Sequence, residues 1–140
     1  MIKNFEINEA TFNNLAKKLL ANNLFTMQEE SGFMDKAFAN TYIVLKAKNN
    51  IKIKYITDNM NQSIYCQIED LNVKYEFEDF CQVFNIPLKE EKEDFLKMIE
   101  TYSNTIYENI DKIFKLLDNK HKDETIKRMR QFYTNRQLNK

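Results

Sequence analysis

The chain has 140 residues, of which 43% are hydrophobic and 30% charged, so it is long and apolar enough to bury a core and is not a disordered chain. Lysine plus arginine and aspartate plus glutamate number 21 each, so the net charge provides no general attraction to nucleic acid or to an anionic membrane. No stretch reaches the roughly 20 apolar residues of a membrane helix, and the first residues lack a secretion-signal pattern. We therefore expect one cytoplasmic domain, residues 1–140, with no membrane partner.

The N-terminal part predicts one helix. Hydrophobic residues recur at helical spacing from Phe12 to Leu20, and Asn8 is a candidate N-cap, which places the helix at about residues 8–22. The following segment interrupts this pattern, and a short edge strand around residues 25–28 is compatible with it. The predicted strand count does not include that segment.

Between Thr41 and Phe77 the hydrophobic period changes to two. Ile51, Ile53 and Tyr55 alternate with lysines, and similar alternation follows in two later segments. The predicted strands cover residues 41–48, 51–55, 64–69 and 73–78. The links between them are rich in Asn and Asp, which tolerate left-handed backbone conformations. This pattern predicts a four-stranded antiparallel meander with one buried face and one solvated face.

Residues 78–87 are compatible with a brief helical turn, and beyond Pro87 the hydrophobic period becomes helical again. A stripe from Phe95 to Leu117 predicts a long amphipathic helix over about residues 89–118, roughly 45 Å in length, which either kinks or extends beyond the body of the protein. A short C-terminal helix follows, with Ile126 and Met129 on its apolar side. The predicted fold class is α+β. Because the long helix exceeds the width of a small sheet, a homodimer through its stripe is a further expectation.

The usual catalytic and metal-binding motifs are absent from the sequence. Gly32 is the only glycine, so there is no glycine-rich phosphate loop, and His121 is the only histidine and lies between two lysines. Cys66 and Cys81 are too far apart for a zinc-type pair and have no histidine nearby. We therefore predict a protein that is not an enzyme, with no catalytic residue, metal or cofactor. An enzyme assembled from carboxylates and tyrosines on the sheet is the third alternative.

Acidic residues are concentrated in and after the last two predicted strands. Residues 66–100 hold ten acidic and four basic residues, a net charge of −6. The cluster at residues 90–94 opens the predicted long helix, where the helix dipole accounts for it. The remaining acids lie on or beside the last two strands, and they form either a solvated face or a surface that attracts a basic protein. The candidate partner-binding residues are Glu69, Asp70, Glu76, Glu78 and Asp79.

A basic segment ends the chain. Residues 120–140 contain seven Lys or Arg and two acids, with two aromatic residues interleaved among the cations. This composition is compatible with nucleic-acid binding, and equally with a contact between the basic helix and the acidic strands, within one chain or between two. The candidate nucleic-acid residues of this alternative are Lys127, Arg128, Arg130 and Arg136.

Residues 38–70, which read FANTYIVLKAKNNIKIKYITDNMNQSIYCQIED, carry a resemblance to a known class. Phe38, Asn40 and Tyr42 match the FGN-x-Y motif that leads into the first strand in that class. Asp58 matches the first residue of its DRGQ-x-x-x-x-I hairpin turn. With the long helix and basic tail that follow, the layout resembles immunity-type small bacterial proteins of polymorphic and contact-dependent toxin systems. The resemblance implies a protein that binds and neutralises a cognate toxin. The acidic residues above suit a basic toxin domain as the partner, and nucleic acid is the less favoured partner.

Overall fold

The computed structural model describes residues 8–32, 41–58, 63–71, 73–89 and 95–138. Within these ranges the chain forms five strands, six α-helices and a 3-10 turn at Ala21–Asn23. The strands are β1 (Phe25–Met27), β2 (Tyr42–Ala47), β3 (Ile51–Asp58), β4 (Ser63–Asp70) and β5 (Val73–Glu76). The helices are α1 (Glu9–Leu15), α2 (Lys17–Leu20), α3 (Phe77–Val83), α4 (Phe95–Glu108), α5 (Ile110–Leu116) and α6 (Lys122–Leu138).

The strands form one antiparallel sheet in sequence order, so the predicted α+β fold and the meander are confirmed. The predicted number of strands was one too few, because β1 pairs with β2 and places Phe25 opposite Ala47. Three residues are too few for an alternating pattern to stand out in a sequence. Pairing with the neighbouring strand is what defines β1.

The alternation predicted for β3 is realised in the sheet. Ile51, Ile53 and Tyr55 are buried, and the lysines between them are half-buried on the opposite face. Each of the six described helices contributes at least one buried residue to the hydrophobic cluster that contains these three side chains. The helices therefore cover one face of the sheet. On the other face Val44 is buried, and the Ser31 hydroxyl bonds both its N–H and its C=O.

The last strand ends earlier than predicted. Phe77 begins α3, because its side chain and those of Phe80 and Cys81 are buried at helical spacing. Glu78 and Asp79 occupy the first turn of this helix, where negative charge interacts favourably with the helix dipole. Both acids were expected on or beside the last strand, at the start of a segment, residues 78–87, that was compatible with a brief helical turn. The structure places them on a helix that begins at Phe77.

The predicted long helix is interrupted. Asn109 separates α4 from α5, and its side-chain amide donates to the Thr105 carbonyl at 2.9 Å, a local bond that competes with the helix ladder. Ile106 and Ile113 on either side are both fully buried in the same core. The stripe is thus largely buried within one chain, and these contacts do not support the predicted homodimer through it.

The terminal helices also differ from their predicted extents. Asn8 caps α1 as predicted, since its side chain accepts from the Thr11 N–H at 2.8 Å, but the helix breaks at Ala16. The C-terminal helix, predicted to be short, is the longest in the described part of the chain at 17 residues. None of the helices in that part combines the length and apolarity that crossing a membrane requires. The acidic cluster at residues 90–94, Phe38 and Asn40 lie outside the described residues.

Candidate functional site

Three of the five candidate acidic residues come together where β5 becomes α3. Glu76 is the last residue of the strand, and Glu78 and Asp79 follow in the first helical turn. The change from extended to helical backbone turns these side chains toward one opening. Together with Tyr65 and Tyr102 they line a cleft of about 320 Å³, called the acidic cleft below, whose other lining residues are Ile64 and Cys66.

The other two candidate acids lie elsewhere. Glu69 is on the solvated face of the sheet, where its Oε2 forms an ion pair with Lys54 Nζ at 2.6 Å. Asp70 pairs with Val73 at the far end of β4, about 10 Å along the strand from the Gln67–Glu76 pair. The five residues therefore do not form a single surface, and only three of them belong to the cleft.

Neighbouring side chains hold two of the cleft carboxylates in place. The buried Tyr102 hydroxyl donates to Glu78 Oε1 at 2.5 Å, and Gln67 Nε2 donates to Glu76 Oε1 at 2.8 Å. Burial, reinforced by the bond to Glu78, raises the pKa of the Tyr102 phenol well above its usual range. This phenol therefore stays protonated and acts as a donor that fixes the carboxylate.

The environment of the cleft cysteine disfavours its reactive form. Burial raises the pKa of the Cys66 thiol well above its usual value, and neighbouring Cys81, Glu76 and Glu78 raise it further. A thiol reacts as its thiolate, so this environment disfavours the reactive form. Within the described ranges, no three of the Asp, Glu, His and Cys side chains are grouped so that they could hold a metal ion.

The third cleft carboxylate is bound by the C-terminal helix. Arg136 Nη2 lies 2.8 Å from Asp79 Oδ1, and the Tyr133 hydroxyl donates to Asp79 Oδ2 at 3.0 Å. The Arg136 guanidinium also lies over the Phe132 ring, 4.5 Å from its centroid. Desolvation, with the bond to Asp79, raises the pKa of Tyr133 to about 12. The basic segment and one of the acids thus meet within one chain, which the sequence analysis left open.

The four candidate nucleic-acid residues are divided between two roles. Arg128 donates to the Val83 carbonyl at 3.1 Å and lies 4.6 Å from the centroid of the Phe84 ring. With Arg136 it attaches α6 to α3, whereas Lys127 and Arg130 are exposed to solvent. Half of the predicted cationic surface is therefore used in packing the helix.

The sequence suggested tyrosines on the sheet only within the third alternative, and it did not single out Tyr65 or Tyr102. Tyr65 is 46% exposed at the cleft and Tyr102 is buried beside it, but they come from a strand and a helix with no common local pattern. Alternation places Tyr65 on the solvated face, which was the only signal available. No protein-family model, curated protein or solved structure matches this chain.

Proposed function

We propose that this chain is a non-enzymatic binding module whose acidic cleft captures a basic protein, and that it acts as an immunity-type inhibitor of a toxin domain. The observation that carries the proposal is the convergence of Glu76, Glu78 and Asp79 on one open cleft. Tyr65 stands half exposed beside them. Aromatic anchors next to charged groups are typical of the residues that dominate binding energy in protein interfaces.

The cleft suits recognition because two of its acceptors are already ordered. Tyr102 and Gln67 hold the Glu78 and Glu76 carboxylates by hydrogen bonds before any partner arrives. Less side-chain entropy is then lost when a lysine or arginine of the partner binds. Several carboxylates at one opening also attract a basic partner over a distance and speed its association, an effect that salt weakens.

The same environment favours binding over catalysis. The raised pKa values of the Tyr102 phenol and the Cys66 thiol keep both groups protonated near neutral pH. General base and nucleophilic roles require groups that lose a proton near the working pH. These two side chains therefore serve the cleft as a donor and as part of its lining.

The test begins with capture of the partner from the native host on tagged full-length protein, after nuclease treatment and at moderate salt. The association rate constant of the captured protein is then measured by stopped flow for wild type and for the Glu76→Gln/Glu78→Gln variant. Loss of two steering charges should slow association about tenfold at low salt. The matched control, Glu108→Gln/Asp111→Asn, removes the same charge from exposed positions on α4 and α5. Equal rates for the two variants would refute the cleft as the binding site.

Nucleic-acid binding through Lys127, Arg128, Arg130 and Arg136 remains the alternative. Arg128 and Arg136 support it less than the sequence implied, since both already contact α3. It predicts co-purifying nucleic acid whose binding weakens steeply with salt and after substitution of Lys127 and Arg130 by Gln. Nucleic acid retained under the conditions of the capture experiment, with no protein partner, would favour this alternative.

A further inference from the structure

The two halves of α6 are attached to the body of the protein in different ways. In the N-terminal half, Thr125 and Met129 are almost fully buried, and the Thr125 hydroxyl donates to the Leu116 carbonyl at 2.6 Å. In the C-terminal half, residues 134–138 are all exposed. The hydrogen bonds that this half makes to α3 within the described residues come from Tyr133 and Arg136, and both end on Asp79.

Tyr133 is half-buried against the hydrophobic cluster, but beyond it the attachment of the C-terminal half depends on the ion pair with Asp79 rather than on burial. The Arg136 side chain is 45% exposed while it pairs with Asp79, whose side chain is 17% exposed. Ion pairs this accessible to water stabilise a structure only slightly and weaken with salt. Helix ends held by few buried contacts open far more readily than a protein core. The half-helix can therefore leave Asp79 while Met129 keeps α6 anchored.

We propose that residues 131–138 compete with the binding partner for the acidic cleft. Arg136 binds the Asp79 carboxylate until an arginine of the partner replaces it. The inference deepens the proposed function and rests on it for the identity of the site. While Arg136 contacts Asp79, the half-helix shields one of the three cleft carboxylates. When the half-helix has left Asp79, this carboxylate can bind the partner together with Glu76 and Glu78.

The internal contact also indicates what the partner presents. Arg136 reaches Asp79 while stacked on Phe132, four residues earlier on the same helix, and Tyr133 adds a second donor. Residues four apart are neighbours on a helix surface, so the ring limits the directions that the arginine can take. The partner that fits is a basic helix carrying an arginine one turn after an aromatic residue.

The first test uses a fluorescein-labelled peptide with the sequence of residues 122–138 of this chain, added to the full-length protein at low ionic strength. Fluorescence anisotropy compares wild type with Arg136→Gln and with Arg130→Gln, which removes the same charge from an exposed position on the same helix. Arg136→Gln should bind the peptide about fivefold more tightly than either other protein, because a larger fraction of its clefts is free. Adding Asp79→Asn should abolish the gain.

Three results of this titration would overturn the proposal: no peptide binding to any variant, equal affinities for the two arginine variants, or a gain that persists without the Asp79 carboxylate. The second test is hydrogen–deuterium exchange on the three proteins without peptide. Arg136→Gln should exchange faster at residues 131–138 and unchanged in β3 and β4, and unchanged exchange at residues 131–138 would overturn the proposal. Exchange needs no partner, so its outcome is separate from failure of the Glu76/Glu78 experiment.

Discussion

A hydrogen bond in the core between β3 and α4 allows the packing to be tested quantitatively. Tyr55 is fully buried at the centre of β3, and its hydroxyl lies 2.8 Å from the Ser103 hydroxyl on α4. Ser103 in turn donates to the Ile99 carbonyl at 2.8 Å. Since a hydroxyl has one proton, Tyr55 is the donor of the pair.

Because Tyr55 donates to Ser103 and Ser103 donates to Ile99, removing one hydroxyl should cost more unfolding free energy than removing the other. Ser103→Ala leaves the Tyr55 O–H buried without its acceptor, which costs about 2 kcal/mol of unfolding free energy. Tyr55→Phe removes the bond but leaves Ser103 with Ile99, and it costs about 1 kcal/mol. With both polar groups removed no O–H is left unsatisfied, so the double variant should lose about 1 kcal/mol and be more stable than Ser103→Ala alone.

Urea unfolding followed by circular dichroism measures the four free energies of this double-mutant cycle. Thr101→Ala, which removes a hydroxyl from a half-buried position on α4, is the control and should change stability by less than about 0.5 kcal/mol. If the two losses add, so that the double variant falls by about 3 kcal/mol, the hydroxyls do not interact and the packing of β3 on α4 described above is incorrect.

Two further predictions concern stability. Leu71, which is 65% exposed, has a φ of 45°, whereas the other positive-φ residues in the described ranges are asparagines. Leu71→Asn should therefore relieve backbone strain and raise the unfolding free energy by about 0.5 kcal/mol. A lower unfolding free energy, measured with urea, would contradict this strain. Burial raises the pKa of the Cys81 thiol from 9.0 to about 12 and that of Tyr75 from 10.0 to about 12. The unfolded chain then loses these protons first, so stability should fall as the pH rises from about 9 to 12. Cys81→Ala should make the fall between pH 9 and 10 shallower, and an unchanged slope would refute the assignment.

Patterns within a few residues determined much of the fold. Alternation through β3 is a local property, because successive strand side chains point to opposite faces, and it identified the buried side chains Ile51, Ile53 and Tyr55. Asn8 was recognisable as a cap because its partner, the Thr11 N–H, lies three residues away. The α+β class followed from the change of period between sheet and helices.

Other features depended on contacts that no local pattern contains. Strand β1 exists because β2 pairs with it, and α3 starts at Phe77 because the core accepts that ring on a helix, although the sequence continues the strand alternation there. The break at Asn109 lets both parts of the apolar stripe reach the core. In each case tertiary packing outweighed local preference.

The candidate site belongs to the same category. The sequence indicated five acids and four cations but not which of them meet, because contacts between distant residues depend on how the elements pack. Arg136 and Asp79 are 57 residues apart along the chain and 2.8 Å apart in the structure, at the ends of α6 and α3 that packing brings together. Composition thus established which charges the chain carries, and the tertiary structure decided that three acids share a cleft and that one of them already holds an arginine.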